Sequence, residues 1–141
     1  MDDPFHLDRF VSAQDAEGTY DGAAAELRRG RKTSHWMWFV FPQISGLGQS
    51  ALSKWFAISS LEEARAYLHH AVLGPRLLEC AEILAGRRDL TAVQVFGPVD
   101  ARKLHSSMTL FRRVDPDQPL FRQVLERYFD GLPDAATDER I

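Results

Sequence analysis

The sequence of 141 residues contains only one cysteine, Cys80, so it cannot form an internal disulfide. It also lacks a basic excess, because 17 Lys and Arg stand against 20 Asp and Glu and give a formal net charge of −3. This balance argues against binding to nucleic acid or membrane through bulk charge. No apolar run approaches the roughly 20 residues of a membrane span, and the start "MDDPFHLDRF" lacks the regions of a signal peptide. We therefore expect a cytoplasmic protein without membrane contact.

Motifs of several common functional classes are also missing. There is no Walker loop, no Gly-x-Gly-x-x-Gly, no Gly-x-Ser-x-Gly and no Cys-x-x-Cys. His69 and His70 are adjacent, so they do not reproduce the i, i+4 spacing of a zinc-binding helix. Cys80 lies in the apolar run "LLECAEIL" and is typical of a small buried hydrophobic residue. We expect no metal site and no cofactor.

The hydrophobic pattern indicates helices along most of the chain. Apolar residues make up 45% of the sequence, which is ample for the core of one domain. Ser60 followed by Glu63 matches a capping box, and Pro119 suits the first turn of a helix. No alternating strand or hairpin turn is convincing. The pattern predicts an all-α fold of about six or seven short, mostly orthogonally packed helices in a single compact domain over residues 4–130, with a frayed tail at 131–141.

Residues 30–50, "GRKTSHWMWFVFPQISGLGQS", place cationic side chains directly before an aromatic run. Aromatic faces stack on planar rings and adjacent cations hold phosphate or carboxylate, so this segment suits a nucleotide-like ligand. The alternative is that these aromatic residues form core, their commoner role. We expect most of "WMWFVF" to be core and its polar flanks to form one wall of a pocket. The candidates here are Lys32, Trp36, Trp38 and Gln43 for ligand binding, and His35 for catalysis.

A second polar segment is "FGPVDARKLHSSMTLF", residues 96–111. On a helix, Asp100 and Lys103 are i, i+3 neighbours, and three hydroxyl residues fall within one turn. Hydroxyl residues are mediocre helix formers, so such a run suggests that they bind something. The alternatives are a first-turn acid favoured by the helix dipole and small residues at a helix contact. We take Asp100 as a candidate catalytic carboxylate, and as candidate ligand-binding residues Lys103, Ser106, Ser107, Thr109 and, from an earlier helix, Arg76.

Five blocks of sequence together resemble DUF1810, a family of unknown function. They are "FVSAQ", "ELRRGRKTSHWMWFVFPQISGLGQS", "FAISSLEEARAYL", "LGPRLLECAEIL" and "FGPVDARKLHSSMTLF". The resemblance covers about residues 4–130 and implies a mainly helical, compact protein with no assigned activity. The order of a Trp-bearing segment, a helix pair and a Phe-Gly step is also loosely similar to the NADAR family, which acts on ADP-ribose-type N-glycosides. This chain lacks the glycines that follow the step in that family.

Two functional hypotheses follow from the polar segments. The first is a small-molecule site for a nucleotide, ribosyl or phosphorylated ligand. If the protein is an enzyme, we expect hydrolysis of an N-glycosidic bond, with Asp100 orienting water or stabilising an oxocarbenium-like centre and Trp38 stacking on the base. The alternative is a non-catalytic module whose aromatic surface docks a protein partner. A concave pocket favours the first, and a flat exposed aromatic patch favours the second.

Overall fold

Helices build the whole fold in the structure, a computed structural model that describes residues 2–141. The all-α prediction is confirmed, and six of the nine α-helices in these residues have eight residues or more. None of the described helices has the length and apolar character needed to cross a membrane. The helices are α1 (Asp8–Asp15), α2 (Thr19–Arg29), α3 (Met37–Val40), α4 (Ala51–Trp55), α5 (Leu61–His69), α6 (Leu73–Gly86), α7 (Ala92–Val114), α8 (Pro119–Phe129) and α9 (Ala135–Asp138).

Several helix ends follow local signals in the sequence. The Ser60 hydroxyl accepts a hydrogen bond from the Glu63 N–H (3.1 Å) at the start of α5, and Pro119 is the first residue of α8. Gly30 ends α2 in the left-handed region at φ 81°, a conformation that glycine adopts without a steric penalty. This turn directs the chain out of α2 and into the aromatic segment.

The aromatic segment contributes only one short helix, α3, and supplies much of the core. Five of its six bulky side chains are buried, whereas Trp38 remains partly exposed. The prediction that most of "WMWFVF" is core is therefore confirmed. The buried five are Trp36, Met37, Phe39, Val40 and Phe41.

Helix α7 consists of two helical pieces joined at Gly97. Gly97 has φ 80° and ψ 165°, and Pro98 follows it as the first residue of the second piece. The first piece is a short helix that begins at Ala92 and is capped by Thr91. Asp100 consequently lies in the first turn of the second piece, facing the loop that follows α2.

The last residues differ from the frayed tail expected at 131–141. The Asp134 carboxylate caps α9 by accepting hydrogen bonds from the Thr137 N–H (3.1 Å) and hydroxyl (2.6 Å). The Ser106 and Thr137 hydroxyls are hydrogen-bonded at 2.7 Å, and the Asp134 N–H donates to the Thr109 hydroxyl (2.9 Å). The hydroxyls of α7 thus fix this segment against the domain.

Candidate functional site

A buried carboxylate, Glu26, organises the loop that leads into the aromatic segment. Its Oε1 accepts hydrogen bonds from the N–H groups of Thr33 (2.6 Å) and Ser34 (3.0 Å) and from the indole N–H of Trp36 (3.1 Å). Burial opposes ionisation of this carboxyl, but the hydrogen bonds from Ser34, Thr33 and Trp36 outweigh it and lower the pKa of Glu26 to about 2. An ionised Glu26 therefore fixes the loop.

This loop and α7 together build a charged cluster of Lys32, Asp100 and Lys103. The Lys32 Nζ lies 2.9 Å from Asp100 Oδ2, and the Lys103 Nζ lies 3.5 Å from Asp100 Oδ1. Lys103 also lies over the Trp38 ring, with its Nζ 4.9 Å from the ring centroid. The His35 ring centroid is 6.5 Å from that of Trp38. The structure therefore brings five sequence-predicted residues together.

Two neighbouring clefts lie beside the charged cluster and share Gln43 and Gly48 among their lining residues. The wide cleft has a volume of about 390 Å³, and the small cleft has a volume of about 180 Å³. The wide cleft is lined by Gln43, Leu47, Gly48, Val99, Arg102, Lys103, Ser106, Asp134 and Ala136. The small cleft is lined by Trp38, Gln43, Ile44, Ser45, Gly46, Gly48, Ser53, Lys54, Phe56 and Ala57.

The charges of the wide cleft favour an anion, although the whole chain carries a formal net charge of −3. Arg102 and Lys103 line this cleft, and Lys32 reaches the same cluster through Asp100. The one carboxylate in its lining, Asp134, is engaged as the cap of α9. Cations close to a partly exposed tryptophan are chemically suited to contact an anion and a planar group.

Three of the candidate residues cannot contact a ligand in either cleft. Trp36 is fully buried, and its indole N–H is used by Glu26, so its role is structural. Ser107 is fully buried, lines neither cleft, and its hydroxyl has no hydrogen-bond partner within residues 2–141. Thr109 lines neither cleft, because its hydroxyl bonds the backbone of His105 and Asp134. These assignments are corrected: Trp36 lies in the core before α3, and the side chains of Ser107 and Thr109 lie on faces of α7 that line neither cleft.

Arg76 also lies away from the charged cluster. Its guanidinium pairs with Asp15 Oδ1 (2.8 Å), donates to Gln14 Oε1 (3.2 Å) and covers the Tyr20 ring at 4.8 Å. Arg76 therefore stabilises the packing of α6 against α1 and α2. Ser106 does line the wide cleft, but its hydroxyl is already bonded to Thr137.

The two proposed catalytic residues have different neighbours: His35 lies near Trp38, and Asp100 contacts Lys103. His35 is exposed, and no hydrogen bond joins it to Asp100 among residues 2–141. Both carboxylate oxygens of Asp100 face ammonium groups instead. This geometry suits Asp100 to positioning Lys103 rather than to exchanging a proton with His35.

Sequence reasoning missed Arg102, Asp134 and Glu26. Arg102 and Ser106 are spaced i, i+4 on α7 and line the same cleft, so the helical spacing could have drawn attention to Arg102. No local pattern marks Asp134 as part of a cleft wall. Glu26 binds residues seven to ten positions further along the chain, and no periodic signal indicates such a contact.

The described part of the chain contains no cluster of metal-binding side chains and no exposed thiol. Residues 2–141 contain no group of three His, Cys, Asp or Glu side chains placed to hold a metal ion. Cys80 is fully buried, and burial raises the pKa of its thiol to about 12.

Fold and site define a class: a small all-helical protein with a cationic cleft beside a partly exposed tryptophan. A family model described as "Protein of unknown function (DUF1810)" matches residues 4–141. The chain belongs to the DUF1810 family, and the match includes the C-terminal segment that packs on α7. No support for the NADAR similarity comes from this match.

A solved structure agrees with this assignment. The crystal structure of the conserved hypothetical protein Rv1873 from Mycobacterium tuberculosis is similar to this chain with a TM-score of 0.93 and 49% sequence identity. The similarity covers 97% of this chain and 96% of that chain. A comparison with curated proteins gave no match.

Proposed function

We propose that the protein binds a small anionic ligand that carries a planar group, of nucleotide, ribosyl-phosphate or related chemistry, in the clefts beside the charged cluster. The position of Lys103 carries this proposal. Its ammonium group lies over Trp38, next to Asp100, and lines the wide cleft together with Arg102. A ligand anion placed there meets two cations, and its planar part meets Trp38.

The charged cluster also fixes the position of Lys103 before a ligand binds. The Lys32 side chain is only 8% exposed and that of Asp100 19% exposed, and their ion pair joins the loop after α2 to α7. Asp100 contacts both lysines, so it holds Lys103 at the mouth of the wide cleft before a ligand arrives. A cation fixed in this way loses little conformational entropy when it binds an anion.

Docking of a protein through the aromatic run is the weaker alternative. Trp36, Phe39 and Phe41 are buried in the core, so they offer no surface to a partner. Only Trp38 of the aromatic run is partly exposed, and it lines a concave cleft. Concave surface at this position favours a small ligand.

A thermal-shift screen tests the binding proposal. The probes are nucleoside monophosphates, ADP-ribose, NAD and sugar phosphates. A ligand at 100 times its Kd adds about 2.7 kcal/mol to the free energy of unfolding, which raises Tm by roughly 5–10 °C. Lys103→Ala should lose the shift, whereas Arg122→Ala, which removes a cation from the exposed pair with Glu126 on α8, should keep it. No shift with any probe would contradict the proposal.

Hydrolysis of an N-glycosidic bond is the reaction to test at this site. In this arrangement Asp100 and Lys103 would stabilise charge near the bond that breaks, and Trp38 would stack on the departing base. Any probe that binds is incubated with the protein, and release of the free base is followed by chromatography. Because Asp100 also positions Lys103, the Asp100→Asn variant is assayed at a probe concentration that saturates it, and loss of release under that condition supports catalysis. Binding without release assigns the protein a binding function alone.

A further inference from the structure

We propose that the two clefts form one bipartite site for a nucleoside monophosphate, with the base in the small cleft and the phosphate in the wide cleft. This inference rests on the proposed function and adds the division of the ligand between the clefts. In this arrangement the base and the phosphate contact different sets of side chains. The two halves can therefore be tested separately.

The small cleft matches a ring in size and in lining. Its volume is about 180 Å³, and an apolar cavity of about 150 Å³ in another protein holds a benzene ring. Trp38, Ile44 and Phe56 supply apolar and aromatic wall. Gln43 lines the same cleft, and its amide can both donate and accept hydrogen bonds. An aromatic ring with polar atoms at its edge, such as a nucleobase, fits this lining.

The wide cleft supplies the partners that a phosphate needs. Arg102 can offer a two-pronged contact to phosphate oxygens, and Lys103 can offer a point charge. The Asp134 carboxylate in this lining is bound to Thr137, so it does not stand free against an incoming anion. The volume of about 390 Å³ leaves room for the sugar as well as the phosphate.

The junction of the clefts explains why one ligand would span both. Gln43 and Gly48 belong to both linings, and Lys103 lines the wide cleft while lying 4.9 Å from the ring of Trp38, which lines the small cleft. A Cβ added at Gly48 would lie 2.4 Å from the Ser53 Cβ, so the loop backbone packs directly on α4 at the shared wall. The base and phosphate of one nucleotide, separated by a ribose, would straddle this wall.

Calorimetric titration of the full chain with AMP, adenosine and inorganic phosphate tests the division. AMP should bind at least about tenfold more tightly than either fragment. Adenosine lacks the charge-assisted contacts of the phosphate, one of which corresponds to about tenfold in Kd, and inorganic phosphate lacks the contacts of the base. Lys103→Ala should weaken AMP about tenfold and leave adenosine within about twofold. Ala57→Leu, which adds bulk in the small cleft, should weaken AMP and adenosine and leave phosphate unchanged. Trp38→Leu removes the aromatic wall and replaces Ala57→Leu if that variant does not fold.

The small cleft is the competing location for the phosphate, because Lys54 is a cation in its lining. Lys54→Ala should change AMP binding less than about twofold if the phosphate lies beside Lys103. A larger loss with Lys54→Ala than with Lys103→Ala overturns the division. Equal affinity for AMP and inorganic phosphate also overturns it but leaves the proposed anion site intact. If none of the three probes binds at millimolar concentration, the bipartite site and nucleotide binding both fail.

Discussion

The Lys32 ammonium group lies 2.9 Å from the Asp100 carboxylate, although helices α3 to α6 separate the two residues in the sequence. A second bond, from the Lys32 N–H to the Val95 carbonyl (2.8 Å), joins the same loop to the first piece of α7. Lys32 therefore connects the loop after α2 to both pieces of α7. The position of Lys103 depends on this connection because Asp100 contacts both lysines.

Breaking the pair should destabilise the fold. Asp100→Asn leaves the largely buried Lys32 ammonium group without a carboxylate, and Lys32→Met leaves Asp100 with only its longer contact to Lys103. Each should lower the free energy of unfolding by about 1–3 kcal/mol. In the double variant the losses should not add, and the coupling energy should be about 1–2 kcal/mol. Urea denaturation of the four proteins measures it. A coupling energy near zero would mean that the pair contributes nothing to stability.

Glu26 should make the free energy of unfolding decrease as the pH falls into the acidic range. Its pKa in the folded protein is about 2, below the ordinary 4.5, so its contribution is complete above pH 4.5 and is lost as the pH falls toward 2. Glu26→Gln keeps an oxygen but removes the charge, and should cost about 1–2 kcal/mol at pH 7. The difference between wild type and Glu26→Gln should shrink between pH 5 and pH 3. An unchanged difference across this range would show that the charge is not what fixes the loop.

Gly97 should resist substitution for conformational reasons alone. A Cβ at this position meets no atom within 4 Å, but φ 80° with ψ 165° is accessible essentially only to glycine. Gly97→Ala should cost about 1–3 kcal/mol. Gly22, in the interior of α2, also has open space, and Gly22→Ala should stabilise by about 0.5–1 kcal/mol. Thermal denaturation of both variants compares them, and equal effects would contradict the assigned strain.

The C-terminal segment should be ordered. Thr137→Val removes a buried hydroxyl that bonds both Ser106 and Asp134, and should cost about 1–3 kcal/mol. Hydrogen exchange should show protection of the amide at position 137 in the wild type, because that N–H is bonded to Asp134. Protection should be weaker in the variant, because the loss of the hydroxyl bonds to Ser106 and Asp134 loosens α9. An amide that exchanges at the rate of an unfolded peptide in the wild type would restore the frayed tail predicted from sequence.

Features set by neighbours in the sequence were predictable. The turn at Gly30, the cap at Ser60 and the approach of Asp100 to Lys103 each depend on residues within one or two helical turns. The all-α class followed from the same short-range periodicity, and the burial of the aromatic run followed from its composition.

Features that depend on contacts between distant parts of the chain were not predictable from the sequence. The sequence offers Arg76 as a candidate ligand-binding residue but does not show which residue its side chain faces, and it pairs with Asp15. The hydroxyls of Ser106 and Thr109, named as candidate ligand-binding groups, bond Thr137, the Asp134 N–H and the His105 carbonyl within the chain itself. A polar pattern indicates that partners exist and does not identify them.

Amide chemical shifts of the ¹⁵N-labelled protein titrated with AMP test the central claim most directly, because they report where a ligand binds. The account predicts shift changes concentrated at Trp38 and at residues 43–48, 53–57 and 99–106, which line the two clefts, and Lys103→Ala should weaken the affinity that they report about tenfold. Changes centred on α6 around Arg76, or no changes at millimolar AMP, would contradict a ligand site beside Lys103.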